Sequence, residues 1–412
     1  MSESVTVYID TMLKNMSYTL LKPSIFRVGD HLRSINPEAY DPQIIAIGPF
    51  HHDKPHLQNM ERHKLRYLRL LLQKKEESSV ERYVAEIRRL EDRARKCYAE
   101  DIHLDEDEFV KMLILDGFFI IEFLRKFIRR EDVDRDDPIF QYEHLQIQLL
   151  HDLMLFENQI PFFIVDCLFN MIFDGGINII IWPFLRNIIF PMRKKDFPEV
   201  PINGHHLLGI VHDIQCSSPM RAFACTGLCM APLTEAGISF KKLKANSLFD
   251  IKFENKVMKI PEWEIFDSTE SLFRNLIAYE YYLTGSPQKL VTDYVFVMHC
   301  LVNSPEDAKL LRLSGIISNF LGSDEMVYRL INQLEKNIIS SETFSYSDIF
   351  DDVNVHCGHK RNKWMAKLRR EYFNSPWALI SFLAAIILLV LAIIQTTFAI
   401  LSFRNDLKGN LF

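Results

Sequence analysis

The chain has 412 residues, of which 48% are hydrophobic and 25% charged, so it is long enough for one large core or two modest ones. Its net charge of −6 excludes a generally basic nucleic-acid-binding protein, and we expect no nucleic-acid partner. The seven cysteines are scattered and odd in number, which excludes a regular disulfide framework and favours a reducing compartment.

Residues 1–23 lack the basic region and apolar segment of a signal peptide, and we predict a flexible N-terminus there. From residue 24 to residue 358 apolar side chains recur mainly at helical spacing, which predicts one α-rich body. The first long helix is predicted to begin near Pro55. One stripe of that helix carries Leu57, Met60, Lys64, Leu68 and Leu71.

Two later segments differ from this pattern. Residues 160–190 are nearly apolar enough for a membrane span, but Asp166, Asp174 and Arg186 interrupt them, so we predict the main core of the body there. Between residues 238 and 266 apolar and polar residues alternate in short runs, which predicts a small antiparallel β meander. The expected fold is therefore mainly α with a small antiparallel β insertion.

Candidate catalytic or metal-binding side chains lie in two segments. The candidates are His51, His52 and His56 in GPFHHDKPHLQNMERH, and Glu157 in DLMLFENQIPFF. His52 and His56 are four apart, a spacing that suits a metal on one helical face, but Pro55 falls between them. We predict that these side chains bond to nearby backbone groups, with a metal- or carboxylate-dependent enzyme as the alternative.

A second metal hypothesis involves cysteines. Cys225 and Cys229 are one helical turn apart. The residues upstream of them include four more possible ligands: His205, His206, His212 and Cys216. Structural zinc usually shows close pairs on both sides, so the favoured interpretation is a set of small buried thiols.

The most apolar stretch lies almost at the end of the chain. Between Trp377 and Leu401 there is no charged residue, and a helix of about 25 residues is about 37 Å long, enough to cross a hydrocarbon core of roughly 30 Å. Trp377 is the type of ring found at membrane interfaces. We predict a transmembrane helix over residues 377–401 in contact with the lipid bilayer, a basic juxtamembrane stem at 359–376, and a short tail at 402–412.

Charge predicts the orientation of this helix. The only basic residues that follow residues 377–401 are Arg404 and Lys408. The residues before it include six basic ones: Lys360, Arg361, Lys363, Lys367, Arg369 and Arg370. Because basic flanks stay in the cytosol, we expect a cytosolic body. The span ends only about ten residues before the end of the sequence, so we expect post-translational insertion, and we expect the plasma membrane as its location. A receptor with the opposite topology is the alternative, and it predicts a glycan at Asn15.

The helix also contains three consecutive polar residues, Gln395, Thr396 and Thr397. Such side chains can hydrogen-bond to a neighbouring helix inside the membrane, typically for about 1 kcal/mol or less. They allow self-association of the chain, and we include a homo-oligomer among the expected assemblies.

A resemblance to a known family rests on segments spread from about Ser24 to about Ile400. These segments are SIFRVGDHLRSINPEAYDPQIIAIGPFHHDKPHLQNMERHKLRYL, LDGFFIIEFL, DLMLFENQIPFFIVDCLF, SLFDIKF, MKIP, SLFRNLIAYE and YFNSPWALISFLAAIILLVLAIIQTTFAI. In this order they resemble the plant family catalogued as domain of unknown function 247. The resemblance implies a land-plant protein, usually anchored at its C-terminus, with no established enzymatic activity. Some grass members are linked to self-incompatibility, which implies recognition or signalling.

One segment departs from the family pattern. Where members tend to read Ala-Thr-Glu-Leu before EAGISFKK, this chain has CMAPLTEAGISFKK with Pro232, so a surface formed there is expected to differ. The family supplies no catalytic residues, so we assign none, and we expect no cofactor. The resulting hypothesis is a membrane-anchored protein that is not an enzyme and acts by binding an unidentified protein, through helical grooves and the β edge of residues 238–266.

Overall fold

The computed structural model is mainly α-helical with small sheets, which confirms the predicted fold class. It describes residues 5–7, 23–188, 205–216, 223–224, 237–245, 247–283, 289–338, 343–358 and 376–409. Most of the predicted flexible N-terminus and nearly all of the predicted basic stem lie outside the described residues. So do Asn15, Cys225, Cys229 and Pro232.

The helices follow the chain in two groups. The α-helices up to residue 215 are α1 (Asp30–Arg33), α2 (Glu61–Lys74), α3 (Glu81–Arg95), α4 (Glu106–Ile128), α5 (Pro138–Gln141), α6 (Glu143–Leu153), α7 (Phe162–Ile172), α8 (Asn178–Ile188) and α9 (Leu207–Gln215). Short 3-10 helices cover Pro37–Tyr40, Pro55–Met60 and Arg130–Asp132. The later α-helices are α10 (Thr269–Tyr282), α11 (Leu290–Leu301), α12 (Pro305–Leu313), α13 (Asp324–Glu335), α14 (Ser347–Gly358) and α15 (Pro376–Gly409).

Side-chain caps explain where several of these helices begin. The carboxylate of Asp105 accepts the N–H of Glu108 at 2.8 Å ahead of α4. Ser304 and Ser323 do the same at the starts of α12 and α13, and the His206 side chain does so at α9. Each cap satisfies a backbone donor that has no partner inside its helix, so short polar residues fix these boundaries.

The described residues fall into two compact units. The first lies within Met1–Thr226, Lys241–Lys252 and Lys259–Ser347. The second lies within Gly227–Phe240, Phe253–Met258 and Asp348–Phe412. In the second unit the rings of Phe253 and His356 meet edge to face at 6.2 Å.

Helix α4 is the centre of the first unit. It packs against α2, α3, α7 and α8, and almost all its side chains from Phe109 to Lys126 are buried. The predicted stripe on and before α2 is buried throughout: Leu57, Met60, Lys64, Leu68 and Leu71. The apolar segment that begins at residue 160 also packs into this unit as α7 and α8, with Pro183 inside α8.

The strands form three small sheets. The strands are β1 (Phe223–Ala224), β2 (Ser239–Leu243), β3 (Lys252–Glu254), β4 (Val257–Pro261), β5 (Trp263–Ile265), β6 (Ile317–Asn319) and β7 (Thr343–Phe344). The three-stranded sheet has the order β2-β4-β3, so β4 is central, whereas a meander would place β3 there. A two-residue turn with positive φ at Asn255 and Lys256 joins β3 to β4, as in type I′ hairpins. Strand β5 pairs in parallel with β6, and β1 pairs antiparallel with β7.

Candidate functional site

Buried side chains hold the extended segment from Gln43 to Gly48. Both carboxylate oxygens of Asp152 accept backbone N–H groups from residues 43, 44 and 45 at 2.8 to 3.0 Å. Asn158 accepts the Ile47 N–H at 2.7 Å and donates to the Ile45 carbonyl at 3.1 Å. The segment pairs with no strand among the described residues, so these side chains supply the hydrogen bonds that its buried backbone requires.

A buried ion pair completes this arrangement at Gly48. Asp116 on α4 accepts the Gly48 N–H at 2.7 Å and contacts Lys64 Nζ at 2.5 Å. Lys64 also donates to the Ala46 carbonyl at 2.7 Å. Burial opposes protonation of Lys64, but the charges of Asp116 and Glu61 outweigh it and raise the pKa of its ammonium group.

Glu157 lies at a second buried charge site. Its Oε1 accepts the Val28 N–H at 2.6 Å and contacts Arg33 at 2.6 Å, while Oε2 lies 3.4 Å from His51 Nε2. Burial opposes ionisation, but the contacts with His51, Val28 and Arg33 outweigh it and lower the pKa of the Glu157 carboxyl. An ionised, hydrogen-bonded carboxylate of this kind anchors the chain before α1 to the segment before Pro161.

The structure brings together only part of the histidine set considered from the sequence. His51 and Glu157 are neighbours, whereas His56 Nε2 lies 3.4 Å from the Pro42 carbonyl, and the His52 carbonyl accepts the Gln58 side chain. Among the described residues these side chains do not form a cluster of three metal ligands. His51 and Glu157 are thus adjacent. His56 instead contacts the backbone at Pro42, and the backbone of His52 contacts Gln58.

A cavity of about 320 Å³ opens beside His51. It is lined by His51, Arg27, Phe50, Lys54 and His103, among others. His51 is 2% exposed, and neither of its ring nitrogens has a hydrogen-bond partner in the described part of the chain. The cavity therefore offers a ligand one buried imidazole, while the positive charges of Arg27 and Lys54 are balanced by Asp53, Glu100 and Asp101 in the same lining.

A different ligand cluster is present in the first unit: His212, Cys216 and Glu280. His212 Nε2 lies 2.9 Å from Glu280 Oε1 and 3.5 Å from Cys216 Sγ. Burial opposes protonation of His212, but contacts with Cys216, Asp213 and Glu280 raise the pKa of its imidazole well above the usual value. Burial raises the pKa of the Cys216 thiol.

The sequence indicates only two of the three members of this cluster. His212 lies on α9 and Cys216 is the residue that ends it, four positions later, a spacing that puts both on one helical face. Glu280 lies on α10, and only the folded chain brings it to them. Of the six ligands considered for zinc, the structure brings His212 and Cys216 together, while Cys225 and Cys229 lie outside the residues it describes.

The C-terminal helix α15 contains the stretch Ile380–Leu401, which has a mean hydropathy of 2.6 and no residue buried in the protein. Among the described residues this is the one helix long and apolar enough to cross a membrane. The hydroxyls of Thr396 and Thr397 donate to carbonyls of their own helix, both at 2.7 Å. They are thus satisfied without a second helix.

The comparisons with known proteins identify the family of the chain. The plant family DUF247, described as a plant protein of unknown function, matches residues 25–391, and this chain belongs to that family. UPF0481 protein At3g47200 of Arabidopsis thaliana is 30% identical, over 94% of this chain and 88% of the relative. The putative UPF0481 protein At3g02645 of the same plant is 22% identical, over 94% and 92%. No solved structure matches the chain.

Proposed function

We propose that this plant protein is held in a membrane by α15 and that its helical body binds another protein at the cytosolic surface. The observation that carries the proposal is the exposure of Ile380–Leu401, a stretch of 22 residues with no buried side chain. A helix of that length is about 33 Å long, which matches a hydrocarbon core of roughly 30 Å.

The energetics of apolar surface favour lipid over water around this helix. Leu388, Leu389, Phe398 and Ile400 are each more than half exposed. Burying one such side chain is worth about 1.5 to 3 kcal/mol, so leaving the whole stretch in water would cost many times the energy of any single contact. A bilayer covers all faces of the helix at once, as its lack of a polar face requires.

Residues of the first unit supply a surface suited to a protein partner. The rings of Phe266 and Phe320 stack at 4.4 Å, and the side chains are 43% and 59% exposed. The Phe320 N–H donates to the Ile265 carbonyl at 2.9 Å, which ties the pair to the β5–β6 sheet. Rigid exposed aromatic rings are the side chains that most often anchor protein interfaces.

The edge strand β2 adds charge to the proposed recognition surface. Lys241, Lys242 and Lys244 lie on or beside it, and Lys242 pairs with Glu262. In the described chain β2 pairs with β4 on one side only. An acidic extended segment of a partner would suit this edge, because an added strand gains backbone hydrogen bonds and the lysines favour negative charge.

Membrane fractionation tests the anchor. The full chain, expressed in plant cells, is expected in the ultracentrifugation pellet and to resist alkaline extraction, whereas a chain truncated after Ser375 is expected in the supernatant. Fractionation against marker proteins tests our expectation of the plasma membrane. Full-length protein in the supernatant without detergent would refute the anchor.

Proximity labelling from the N-terminus tests the orientation and the partner surface together. Cytosolic neighbours are expected because six basic residues precede the apolar stretch Ile380–Leu401 and only two follow it. The double variant Phe266→Ser, Phe320→Ser is expected to lose specific neighbours. The matched control is Tyr142→Ser, Ile147→Ser, which removes equally exposed apolar residues elsewhere. An identical neighbour set in all three chains would contradict the proposed surface.

The cavity at His51 favours a second candidate function, a metal- or carboxylate-dependent enzyme centred on His51, His52, His56 and Glu157. Its support is the buried ring of His51 at the wall of a 320 Å³ cavity, with Nε2 3.4 Å from the carboxylate of Glu157. Metal analysis of the purified chain, with His52→Ala and His56→Ala, separates a metal enzyme from the alternatives. Stoichiometric metal lost in both variants would favour that enzyme, and metal unaffected by them would exclude it.

A further inference from the structure

The cluster on α9 and α10 has the composition of a transition-metal site. His212, Cys216 and Glu280 offer nitrogen, sulfur and oxygen atoms that all lie within 4.8 Å of one another. Glu280 is fully buried, His212 is 6% exposed, and Cys216 is half-buried. We propose that these three side chains bind a zinc ion in the body of the protein.

The two distances that His212 makes are close to those of zinc coordination, and Cys216 Sγ lies within 4.8 Å of the Glu280 carboxylate. Zinc binds sulfur at about 2.3 Å and nitrogen or oxygen at about 2.0 to 2.1 Å, so tetrahedral angles place nitrogen and sulfur about 3.5 Å apart. The distance from His212 Nε2 to Cys216 Sγ is 3.5 Å. Nitrogen and oxygen would lie about 3.3 Å apart around zinc. The 2.9 Å between His212 and Glu280 must therefore widen by only about 0.4 Å.

The surroundings orient the proposed ligands. His212 Nδ1 lies 3.4 Å from Asp213 Oδ1, which places the Nδ1 proton toward Asp213 and leaves Nε2 as the metal-binding atom. Glu280 accepts the N–H groups of Val291 and Thr292, both at 2.8 Å, and the Thr292 hydroxyl at 2.7 Å. A histidine and a carboxylate held by such outer partners are typical of zinc sites.

Charge balance also favours a divalent ion. A neutral imidazole, a thiolate and a carboxylate carry two negative charges, which one Zn²⁺ neutralises in this buried position. Binding replaces the Nε2 proton of His212 and the thiol proton of Cys216, and both leave to solvent. Three protein ligands leave a fourth coordination position for water. The ion would connect α9 to α10 and, through Glu280, to the start of α11.

The test uses the full chain purified in detergent, stripped with a chelator, and reloaded with zinc alone. We expect one zinc per chain after desalting, and a loss of affinity of about 100-fold or more in Cys216→Ser and in His212→Ala. His52→Ala, His56→Ala, Cys97→Ser and Cys167→Ser are matched controls that should keep the zinc. Wild-type chain without zinc, or equal zinc in Cys216→Ser, would show that His212 and Glu280 form only an ion pair.

Cobalt substitution supplies a readout that does not depend on the folding of one variant. Cobalt bound to a thiolate gives a charge-transfer absorption band, and we expect this band in the wild type and in both cysteine controls. It should disappear in Cys216→Ser and in Cys216→Ala, with circular dichroism used to confirm that the helices are intact. Absence of the band from cobalt-loaded wild type would overturn the proposal even if either Cys216 variant fails to fold.

Discussion

Helices α4 and α15 are both long and apolar, yet only α4 is covered by protein. Helix α4 carries Asp116, Glu122 and Lys126 among its buried residues. The stretch Ile380–Leu401 of α15 carries no charge and has no buried residue. The difference shows that charges inside an apolar helix mark positions where another part of the chain supplies a partner. A helix without such charges has no need of a protein partner and is suited to lipid.

The charged side chains of α4 all find those partners. Asp116 pairs with Lys64, and Lys126 contacts Asp137 at 2.8 Å. Glu122 pairs with Arg125 one turn later at 2.7 Å. A buried charge without a partner costs several kcal/mol, so Asp116 favours a neighbour that supplies Lys64, and Lys126 one that supplies Asp137. Substitutions in these buried pairs therefore test the difference between α4 and α15.

Removing one member of a buried pair is expected to have the largest effect. Asp116→Ala leaves the ammonium of Lys64 with only Glu61 and one carbonyl as partners, and leaves the Gly48 N–H without an acceptor. We expect a loss of about 3 to 5 kcal/mol in the free energy of unfolding. Urea unfolding of the full chain in detergent, followed by circular dichroism, measures it.

The control for this prediction lies on the same helix. Asp107 pairs with Arg88 at 2.5 Å, but its side chain is 80% exposed. Asp107→Ala should leave the unfolding midpoint unchanged within error, because exposed ion pairs contribute little. Equal losses in the two variants would mean that burial does not distinguish the charges of α4.

A glycine beside Asp116 gives the second test. Gly48 has φ +76°, and a Cβ there would overlap the Gln159 carbonyl oxygen. Gly48→Ala should cost about 1 to 2 kcal/mol for the left-handed backbone and about 1 to 3 more for the overlap. Gly176 has φ +77° with open space around it, so Gly176→Ala isolates the backbone contribution. Urea midpoints for both variants measure the difference, and equal losses would contradict the close packing at Gly48.

The third prediction concerns a charged residue placed in the apolar stretch of α15. Leu391→Arg places a charge near the centre of Ile380–Leu401, where no side chain of the described protein covers it. Insertion should become about 2.5 to 3.5 kcal/mol less favourable, seen as protein released by alkaline extraction. Leu401→Arg, at the end of the stretch, should stay in the membrane because its long side chain reaches the interface. If the central variant stays bound like the terminal one, the helix is not surrounded by lipid.

Local rules predicted the helical body because its signals are local. The spacing of apolar residues placed Leu57 and Lys64 on one stripe, and both are buried. Helix α4 follows local rules too, because its first turn is acidic, its last turn is basic and Asp105 caps its start. The predicted meander order of the small β strands differs from the observed order β2-β4-β3, since the order depends on which edge of β4 each neighbour reaches.

The polar contacts of the candidate sites could not be predicted from sequence. Asp152 and Asn158 bond to backbone more than 100 residues earlier in the chain, and Glu280 meets His212 from another helix. No spacing rule encodes such partners, because the fold alone sets them. Lys64 is the instructive case, since the pattern placed this lysine on an apolar stripe and the structure supplies Asp116 to pair with it.

The smallest change in stability is expected from a lower pH. It should reduce the stability of the helical body and leave the apolar stretch of α15 unaffected. Burial lowers the pKa of His206 to about 3, while an unfolded histidine titrates near 6.5. Between these two pKa values the unfolded chain therefore binds a proton at His206 that the folded chain does not bind. The stability from neutral His206 is complete above about pH 6.5 and falls by about 1.4 kcal/mol per pH unit toward pH 3.

His206→Asn isolates this contribution, because an amide oxygen can still accept the Gly209 N–H at the start of α9 without titrating. In urea unfolding at pH 7, 6 and 5, the wild type should lose stability relative to the variant by about 1.4 kcal/mol between pH 6 and pH 5. Other titrating groups cancel in that difference. If the difference in free energy of unfolding between wild type and variant does not change with pH, the buried imidazole accepts a proton in the folded body. The predicted change requires that His206 stays uncharged when the chain is folded.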